Sequence, residues 1–251
     1  MNRARDELAL VLAAAGFLTR LPLPVPGDWE ADRLARASRY FPLVGALVGL
    51  AGGLVWWLAG LLLPPALAAG LALGAVIWLT GALHEDGLAD CADGLGGGRD
   101  RAAALEIMRD SRTGSYGVLA LVFSVGLRWA ALAMLAPLAG MLALVLAGGI
   151  GRAMMVPVPA LTRYARPEGA GALVARGAGS AEVAAALATA LLLALIGGWA
   201  GLGALLLAAL VAAAFLGWMV RRIGGYTGDG LGAVAQLGEI AVMVTLAGAW
   251  A

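Results

Sequence analysis

Long apolar runs recur along this chain, and they restrict its possible folds more than any other feature. A helix needs about 20 mostly apolar residues to cross a bilayer. Hydrophobic residues make up 62% of the 251 residues and charged residues only 13%, whereas a soluble domain is about one quarter charged. The sequence therefore predicts an all-α fold, a polytopic transmembrane helical bundle with about seven to eight membrane helices in one domain, residues 1–251. The predicted apolar stretches are 40–62, 65–83, 117–136, 138–160, 181–199, 202–220 and 231–250.

Charge, cysteine content and the N-terminus exclude several classes of protein. The formal net charge is +1, which provides no overall field for a polyanion, so we expect no nucleic-acid partner. Cys91 is the only cysteine, which excludes an intrachain disulfide and a metal site of several thiolates. Residues 7–23 resemble a signal peptide but lack a clear cleavage site. We expect a short retained helix there, spanning the membrane or lying in its interface.

The connections between the apolar stretches are of two kinds, and they alternate. Uncharged tight turns occur around Pro64-Pro65, Pro137 and Gly201. The remaining connections carry nearly all of the charge and every one contains arginine, so alternation places them all on one side. Because cytoplasmic loops are enriched in basic residues, we expect that side to face the cytoplasm. These connections are 20–39, 84–116, 161–180 and 221–230.

The densest polar stretch runs from His84 to Gly94, and we expect it to continue the helix of residues 65–83 directly. At about 100° per residue, Asp86, Asp90 and Asp93 fall on one helix face within roughly 10 Å of its length. Glu85 lies about 100° away from them and is a weaker candidate.

Three carboxylates on one face repel one another unless a cation neutralises them. Hard oxygen ligands without thiolate suit Mg²⁺ or Mn²⁺, so Asp86, Asp90, Asp93 and, more weakly, Glu85 are the predicted metal ligands. Such acids often only solvate a loop, but the helical register and the neighbouring glycines favour a site. Backbone amides of Gly94 and of Gly96, Gly97 and Gly98 are predicted to form a phosphate nest. His84 either caps the helix or positions a phosphate.

Two further polar stretches lie on the same predicted side of the membrane. Arg109, Asp110 and Arg112 precede the next apolar stretch, and arginine makes two-pronged contacts with phosphate. Asp229 lies among five glycines between residues 224 and 232, where it either caps a helix or completes the acidic site. Arg128, Arg152 and Glu239 fall within or near the ends of spans, where charges usually face a partner or a cavity.

The polar motifs closely resemble those of the cobalamin synthases (adenosylcobinamide-GDP ribazoletransferases). The resemblance covers essentially the whole chain in order. It implies a Mg²⁺-dependent enzyme of the bacterial inner membrane that joins adenosylcobinamide-GDP to α-ribazole or its 5′-phosphate, releases GMP and forms adenosylcobalamin or its 5′-phosphate. The matching stretches are Phe17–Pro22, Phe41–Gly45, His84–Gly94, Ile107–Gly117 and Gly224–Ala233.

On this reading the predicted catalytic residues are Asp86, Asp90, Asp93 and Asp229. One of these acids accepts the hydroxyl proton of ribazole, and which one stays open. The predicted substrate-binding residues are His84, Gly96, Gly97, Arg109, Asp110 and Arg112.

Two alternatives remain open. A CDP-alcohol phosphatidyltransferase also places several aspartates at the membrane ends of a bundle, but its Asp-Gly-x-x-Ala-Arg run is not matched after Asp86. A transporter would place charges near mid-membrane. The expected surroundings are the lipid bilayer, and glycine-rich helix faces allow close packing within a chain or in a homo-oligomer.

Overall fold

The apolar stretches of the sequence fold into helices that pack side by side. The structure is a computed structural model that describes residues 3–24, 31–166 and 178–251. Parts of two predicted charged connections, residues 25–30 and 167–177, lie outside the described residues. The helices are α1 (Arg3–Leu18), α2 (Ala31–Ala37), a 3-10 turn (Ser38–Tyr40), α3 (Phe41–Ala59), α4 (Pro65–Thr80), α5 (Leu83–Gly97), α6 (Arg101–Ile107), α7 (Ser115–Ala133), α8 (Pro137–Met155), α9 (Val158–Leu161), α10 (Ser180–Ile196), α11 (Gly198–Ile223) and α12 (Gly228–Trp250).

The described ranges contain five helical segments that are long and apolar enough to cross a membrane singly. Helices α4 and α5 pass the same test only as a bent pair, which would make a sixth span, and α10 is shorter at 17 residues. The predicted all-α polytopic bundle is therefore confirmed, whereas the predicted count of seven to eight spans is not. The five segments are Arg33–Ala59, Ser115–Ala133, Pro137–Leu161, Gly198–Ile223 and Gly228–Trp250.

We expected the acidic stretch to continue the preceding helix directly, and this prediction is wrong. Helix α4 ends at Thr80, and Gly81 and Ala82 both adopt left-handed backbone angles, with φ of 65° and 58°. The Gly81 and Ala82 amides bond back to carbonyls of the last turn of α4, which terminates it. Helix α5 then starts at 88° to α4. The acids still occupy one helix, but that helix runs across the bundle end.

Helices α3 and α8 lie in direct backbone contact because small residues meet along their interface. Gly45 and Gly49 of α3 face Gly148 and Leu144 of α8, and a Cβ atom on either α3 glycine would overlap the α8 backbone. Close approach through small residues is a common way to pack membrane helices, where burial of apolar surface provides no driving force. These glycine faces are therefore used within the chain.

Two arginines and two glutamates form a charged cluster inside the bundle, the buried charge network (Glu85, Arg128, Arg152 and Glu239). Arg128 on α7 donates to Glu85 on α5 at 3.0 Å and to Glu239 on α12 at 2.7 Å. Arg152 on α8 donates to the other oxygen of Glu239. The four side chains are at most 7% exposed. Because their charges balance, pairing offsets the cost of burying each ion.

Neutral polar groups complete this network. The Gln236 amide donates to the Glu85 carboxylate at 3.0 Å, and the Ser124 hydroxyl donates to Gln236 at 3.1 Å. His84 Nδ1 lies 3.5 Å from an Arg152 nitrogen. Helices α5, α7, α8 and α12 thus converge on one polar centre. This centre contains the partners of Arg128, Arg152 and Glu239, which the sequence alone did not identify.

The described parts of the charged connections meet at one end of the bundle, as the alternation predicts. Arg101 at the start of α6 donates to the carbonyls of Ile223 and Ala165, each at 2.8 Å. Arg222 at the end of α11 donates to two carbonyls at the end of α5. The backbones of Arg163 and Tyr226 also bond at 3.0 Å. Several arginines therefore hold loops together through backbone carbonyls.

Replacing Glu239 by glutamine should destabilise the bundle strongly, because both arginines would lose their shared counter-charge in a buried place. Breaking a buried pair costs about 3–5 kcal/mol. We expect a markedly lower Tm of the detergent-purified protein, and Thr245→Val on the same helix is the matched control because Thr245 bonds only within α12. Equal Tm values for the two variants would contradict a structural role for the network.

Candidate active site

The predicted catalytic acids of α5 lie in a row at the charged end of the bundle. Asp86 is exposed, Asp90 is half-buried and Asp93 is buried. Asp90 interacts electrostatically with Asp86, Asp93 and Asp229, and with the guanidinium of Arg166. The structure thus places all four predicted catalytic aspartates within electrostatic range of Asp90 or at Asp90 itself, and two of them, Asp90 and Asp229, share the nearby cation Arg166.

Asp229 reaches this row because α12 begins directly against α5. A Cβ atom on Gly87 would lie 2.7 Å from the carbonyl oxygen of Asp229, so only glycine lets the two backbones approach this closely. Thr227 caps α12 by accepting from the Gly230 amide at 3.0 Å. The cap role considered for Asp229 thus falls to Thr227, and the Asp229 carboxylate is left to face Arg166 at 2.8 Å.

Asp86 and Asp229 stand at the edge of a small cavity, the inner cavity, between α1, α5, α8 and α12. Its volume is about 120 Å³. Most of its wall is apolar, and its polar members are the two aspartates and His84. The residues that line it are Phe17, Leu83, His84, Asp86, Met155, Gly228, Asp229, Leu231 and Gly232.

Asp93 faces the other way and caps α7. Its two oxygens accept from the amides of Gly114 at 2.7 Å and Gly117 at 2.9 Å, at the positive end of that helix. Beside it is a second cavity, the outer groove, of about 300 Å³ and wide open to the surface. It is lined by Asp93, Gly97, Ile107, Asp110, Arg112, Gly114, Ser115 and Tyr116.

Glu85 and His84 belong to the interior of the bundle more than to this row. Glu85, the weaker of the predicted metal ligands, is turned into the buried charge network and bonds Arg128 and Gln236. The structure therefore keeps Glu85 apart from the three aspartates. Its position about 100° away around the helix is the reason. His84 is fully buried between that network and the inner cavity.

The predicted phosphate nest at Gly96–Gly98 is wrong, because this segment is helical. Helix α5 continues to Gly97, and the Gly98 amide donates to Gly94 at 3.0 Å. None of these glycines has the positive φ angle that such a nest needs. Gly96 and Gly97 instead keep side chains away from Tyr116, whose ring lies 3.3 Å from the position of a Cβ atom on Gly96. Substrate binding by Gly96 and Gly97 stays a prediction.

Both predicted arginines, Arg109 and Arg112, stand at the surface, and Arg112 lines the outer groove. Arg112 and Asp110 form an exposed ion pair with contacts of 2.6 to 3.1 Å. Hydrogen bonds from the Arg112 side chain lower the pKa of Asp110 to about 2, so Asp110 stays ionised. Arg109 is exposed and acts electrostatically on Tyr164. Arg112 can bind a phosphate in the outer groove once it exchanges Asp110 for it.

Two tyrosines close the site on the side of Asp229. The rings of Tyr164 and Tyr226 meet edge to face, with centroids 5.3 Å apart. Burial raises the pKa of Tyr226 to about 12 and also raises the pKa of Tyr164. Both phenols therefore stay protonated at neutral pH, which leaves the aspartates as the groups able to accept a proton.

Sequence reasoning missed Arg166, which interacts with both Asp90 and Asp229. Its neighbour Tyr164 is fixed by backbone pairing with Tyr226. The only signal for Arg166 was its place in a charged connection, which many other arginines share.

The donor set suits a hard divalent cation such as Mg²⁺. Asp86 and Asp229 both interact electrostatically with Asp90, and among the described residues Arg166 is the cation that interacts with both Asp90 and Asp229. Within the described ranges, no three His, Cys, Asp or Glu side chains are already arranged around one point. Mg²⁺ usually takes one or two protein carboxylates and completes its shell with water and substrate phosphates, so two of these aspartates could hold it, and the Mg²⁺ requirement stays a prediction.

Replacing Gly87 by alanine should push the start of α12 away from α5, since the new methyl group would overlap the Asp229 backbone. Such overpacking costs about 1–3 kcal/mol. We expect a lower Tm and faster hydrogen exchange across residues 228–232. Gly74→Ala on α4 is the control, because nothing lies within 4 Å of its Cβ position. Unchanged exchange in Gly87→Ala would contradict the close contact.

Comparison with known proteins gives one consistent family. The sequence profile of cobalamin-5-phosphate synthase matches residues 10–247. An adenosylcobinamide-GDP ribazoletransferase of Bradyrhizobium diazoefficiens is 46% identical over 246 residues, which cover 97% of this chain and 95% of the relative.

Further relatives of the same name agree. The protein of Ralstonia nicotianae is 42% identical, with 98% of this chain and 97% of the relative aligned. That of Leptothrix cholodnii is 45% identical, with 97% of each chain aligned. No solved structure matches the chain significantly. The chain therefore belongs to the cobalamin-5-phosphate synthase family and is a membrane-embedded transferase of cobalamin biosynthesis.

Proposed function

We propose that this enzyme transfers the adenosylcobinamide phosphate group from adenosylcobinamide-GDP to α-ribazole or its 5′-phosphate, with Mg²⁺, and releases GMP. The product is adenosylcobalamin or its 5′-phosphate. The enzyme works in the bacterial inner membrane with its active site facing the cytoplasm. Its arginine-bearing connections support that orientation, since basic residues accumulate in cytoplasmic loops.

One observation carries the proposal: the row of aspartates on α5 joins two compartments of different chemistry. The inner cavity beside Asp86 and Asp229 is mostly apolar, and the outer groove beside Asp93 is more polar and is lined by Asp110 and Arg112. A transfer between an aromatic riboside and a nucleotide pyrophosphate needs two such places with acidic groups between them.

In the reaction a ribazole hydroxyl attacks the cobinamide-linked phosphorus of the pyrophosphate. A new P–O bond forms to ribazole, the P–O bond to GMP breaks, and GMP leaves with the bonding electrons. Asp86 or Asp229, at the edge of the inner cavity, accepts the hydroxyl proton. Such transfers depend mainly on positioning and charge stabilisation, which the fixed aspartates and surface arginines provide.

The negative charge of the pyrophosphate is neutralised by two kinds of cation, arginine side chains and Mg²⁺. Arg112 lines the outer groove and Arg109 is exposed nearby in the chain, where it acts on Tyr164, and both bind the phosphates. Asp86, Asp90 and Asp229 would hold Mg²⁺, which when bound neutralises phosphate charge and orients the group. Asp93 keeps the start of α7, and with it the wall of the outer groove, in place through its two amide contacts.

A CDP-alcohol phosphatidyltransferase reaction would use the same kind of acidic cluster but release CMP. A transporter would move its ligand without releasing a nucleotide. The charges in mid-bundle, which could suggest transport, are paired with one another in the buried charge network. Nucleotide analysis separates all three functions.

The direct test supplies full-length, detergent-purified protein with adenosylcobinamide-GDP, α-ribazole and Mg²⁺, and measures nucleotide and corrinoid by chromatography. GMP and a complete corrinoid should appear in equal amounts and disappear with EDTA, because chelation removes the cation that the aspartates need. Protein that keeps its Tm but releases no GMP, or that remains fully active in EDTA, would contradict this function or its metal requirement.

Asp86→Asn should lower kcat by about 100-fold or more, because it removes a metal ligand or proton acceptor. It should leave Tm nearly unchanged, since Asp86 is exposed. Asp100→Asn on the same side is the matched control: Asp100 caps α6 by accepting from Ala103 at 2.9 Å, and asparagine caps equally well. Full activity of Asp86→Asn would remove Asp86 from the mechanism.

A further inference from the structure

Helix α1 crosses the start of α3 steeply and does not run alongside it. Near the start of α1, the Glu7 carboxylate accepts from the Tyr40 hydroxyl at 2.6 Å and from the Arg39 guanidinium. Near its end, the Phe17 ring stacks on that of Phe41, with centroids 5.6 Å apart and planes at 9°. Residues 7 and 17 are about 15 Å apart along a helix, but their partners are consecutive in the chain. The axis of α1 therefore lies across that of α3.

Both ends of α1 lie at the charged end of the bundle. At its start, Arg39, the partner of Glu7, is 3.9 Å from Glu182 in the first turn of α10. Just beyond its end, the Arg20 amide donates at 2.9 Å to the carbonyl of Leu79 in the last turn of α4. A helix that crossed the bilayer would have one end at the level of the bare turns. Helix α1 instead lies flat over the end that carries the charged connections.

The side of α1 that faces the bundle is apolar and packed. Its buried residues recur at the three- and four-residue spacing of a single helix face. They are Leu10, Ala13, Ala14 and Leu18. This packing holds α1 on the end of the bundle, and it turns the opposite face of the helix outward.

The outward face of α1 is apolar as well. Leu8 is 58% exposed, and at 100° per residue Leu12 and Ala15 fall within about 40° of it, where both are partly exposed. We call these three residues the outer face. Arg5 and Arg20, toward the two ends, are exposed cations. A flat helix with an apolar face between basic residues is typical of the membrane interface, where the cations meet lipid phosphates and the apolar face meets acyl chains.

We propose that α1 does not cross the membrane but binds the lipid interface at the charged end of the bundle, with its outer face against the acyl chains and with Arg5 and Arg20 at the lipid phosphates. The partner of this surface is the bilayer lipid itself. Phe17 belongs to the same helix and lines the inner cavity. One wall of that cavity is therefore carried by a lipid-bound element, next to the aspartate row.

Spin labels on single introduced cysteines measure the depth of α1 in the full-length protein in liposomes. Cys91 is the only native cysteine and is fully buried, so the wild-type protein serves as the unlabelled blank. Labels on Leu8→Cys, Leu12→Cys and Ala15→Cys should agree in depth to about 3 Å, just below the phosphates, because a flat helix keeps one depth. An upright helix would separate positions 8 and 15 by about 10 Å, and such a gradient would overturn the proposal.

The matched control is α7, which is long and apolar enough to cross the membrane. Labels on Leu119→Cys and Leu127→Cys, at exposed positions of α7, should differ in depth by about 12 Å. Each label also reports its surroundings, since oxygen concentrates among acyl chains and a water-soluble nickel complex stays outside them. Oxygen contact should dominate on the outer face of α1. Dominant nickel contact there, or shielding of the label from both reagents by a second protein chain, would contradict binding to lipid.

Discussion

Pairing of charges inside the bundle is the interaction on which the rest of the structure depends. Glu85, Arg128, Arg152 and Glu239 come from four different helices and neutralise one another where no solvent reaches them. An ion left alone there would be costly, so α5, α7, α8 and α12 must all be in register for any of them to be stable. Glu85 and Asp86 are adjacent in α5, and the network therefore also fixes where the exposed acids stand.

Around this centre, close backbone contacts replace the apolar burial that holds a soluble protein together. The α3–α8 interface and the contact of Gly87 with Asp229 both need the absence of a side chain. The first supports the scaffold and the second builds the site, since it lets two acids from distant parts of the chain share one small region. Assembly of the bundle and of the aspartate cluster are consequently one event.

Much of this arrangement can be predicted from local patterns in the sequence. Apolar runs predict nearly every long helix, alternation of charged and bare turns predicts that the polar motifs meet, and helical spacing groups Asp86, Asp90 and Asp93. Local patterns do not predict the direction in which one helix leaves the previous one, or which helices become neighbours. No proline marks the break at Gly81–Ala82, and a non-glycine residue at φ 58° is not foreseen from sequence. The partners of Arg128, the capping role of Asp93 and the contribution of Arg166 all depend on which helices become neighbours.

The right-angle turn after α4 leaves this helix shorter than the hydrocarbon layer of a bilayer. Helix α4 has 16 residues, which at 1.5 Å per residue gives about 24 Å, against about 30 Å for the hydrocarbon layer. A bilayer crossed by α4 alone would have to thin by roughly 6 Å to match it. Because α5 starts at 88° to α4 and not in line with it, an amphipathic substrate could then reach the aspartate row sideways along the membrane surface, with its apolar part still in contact with lipid.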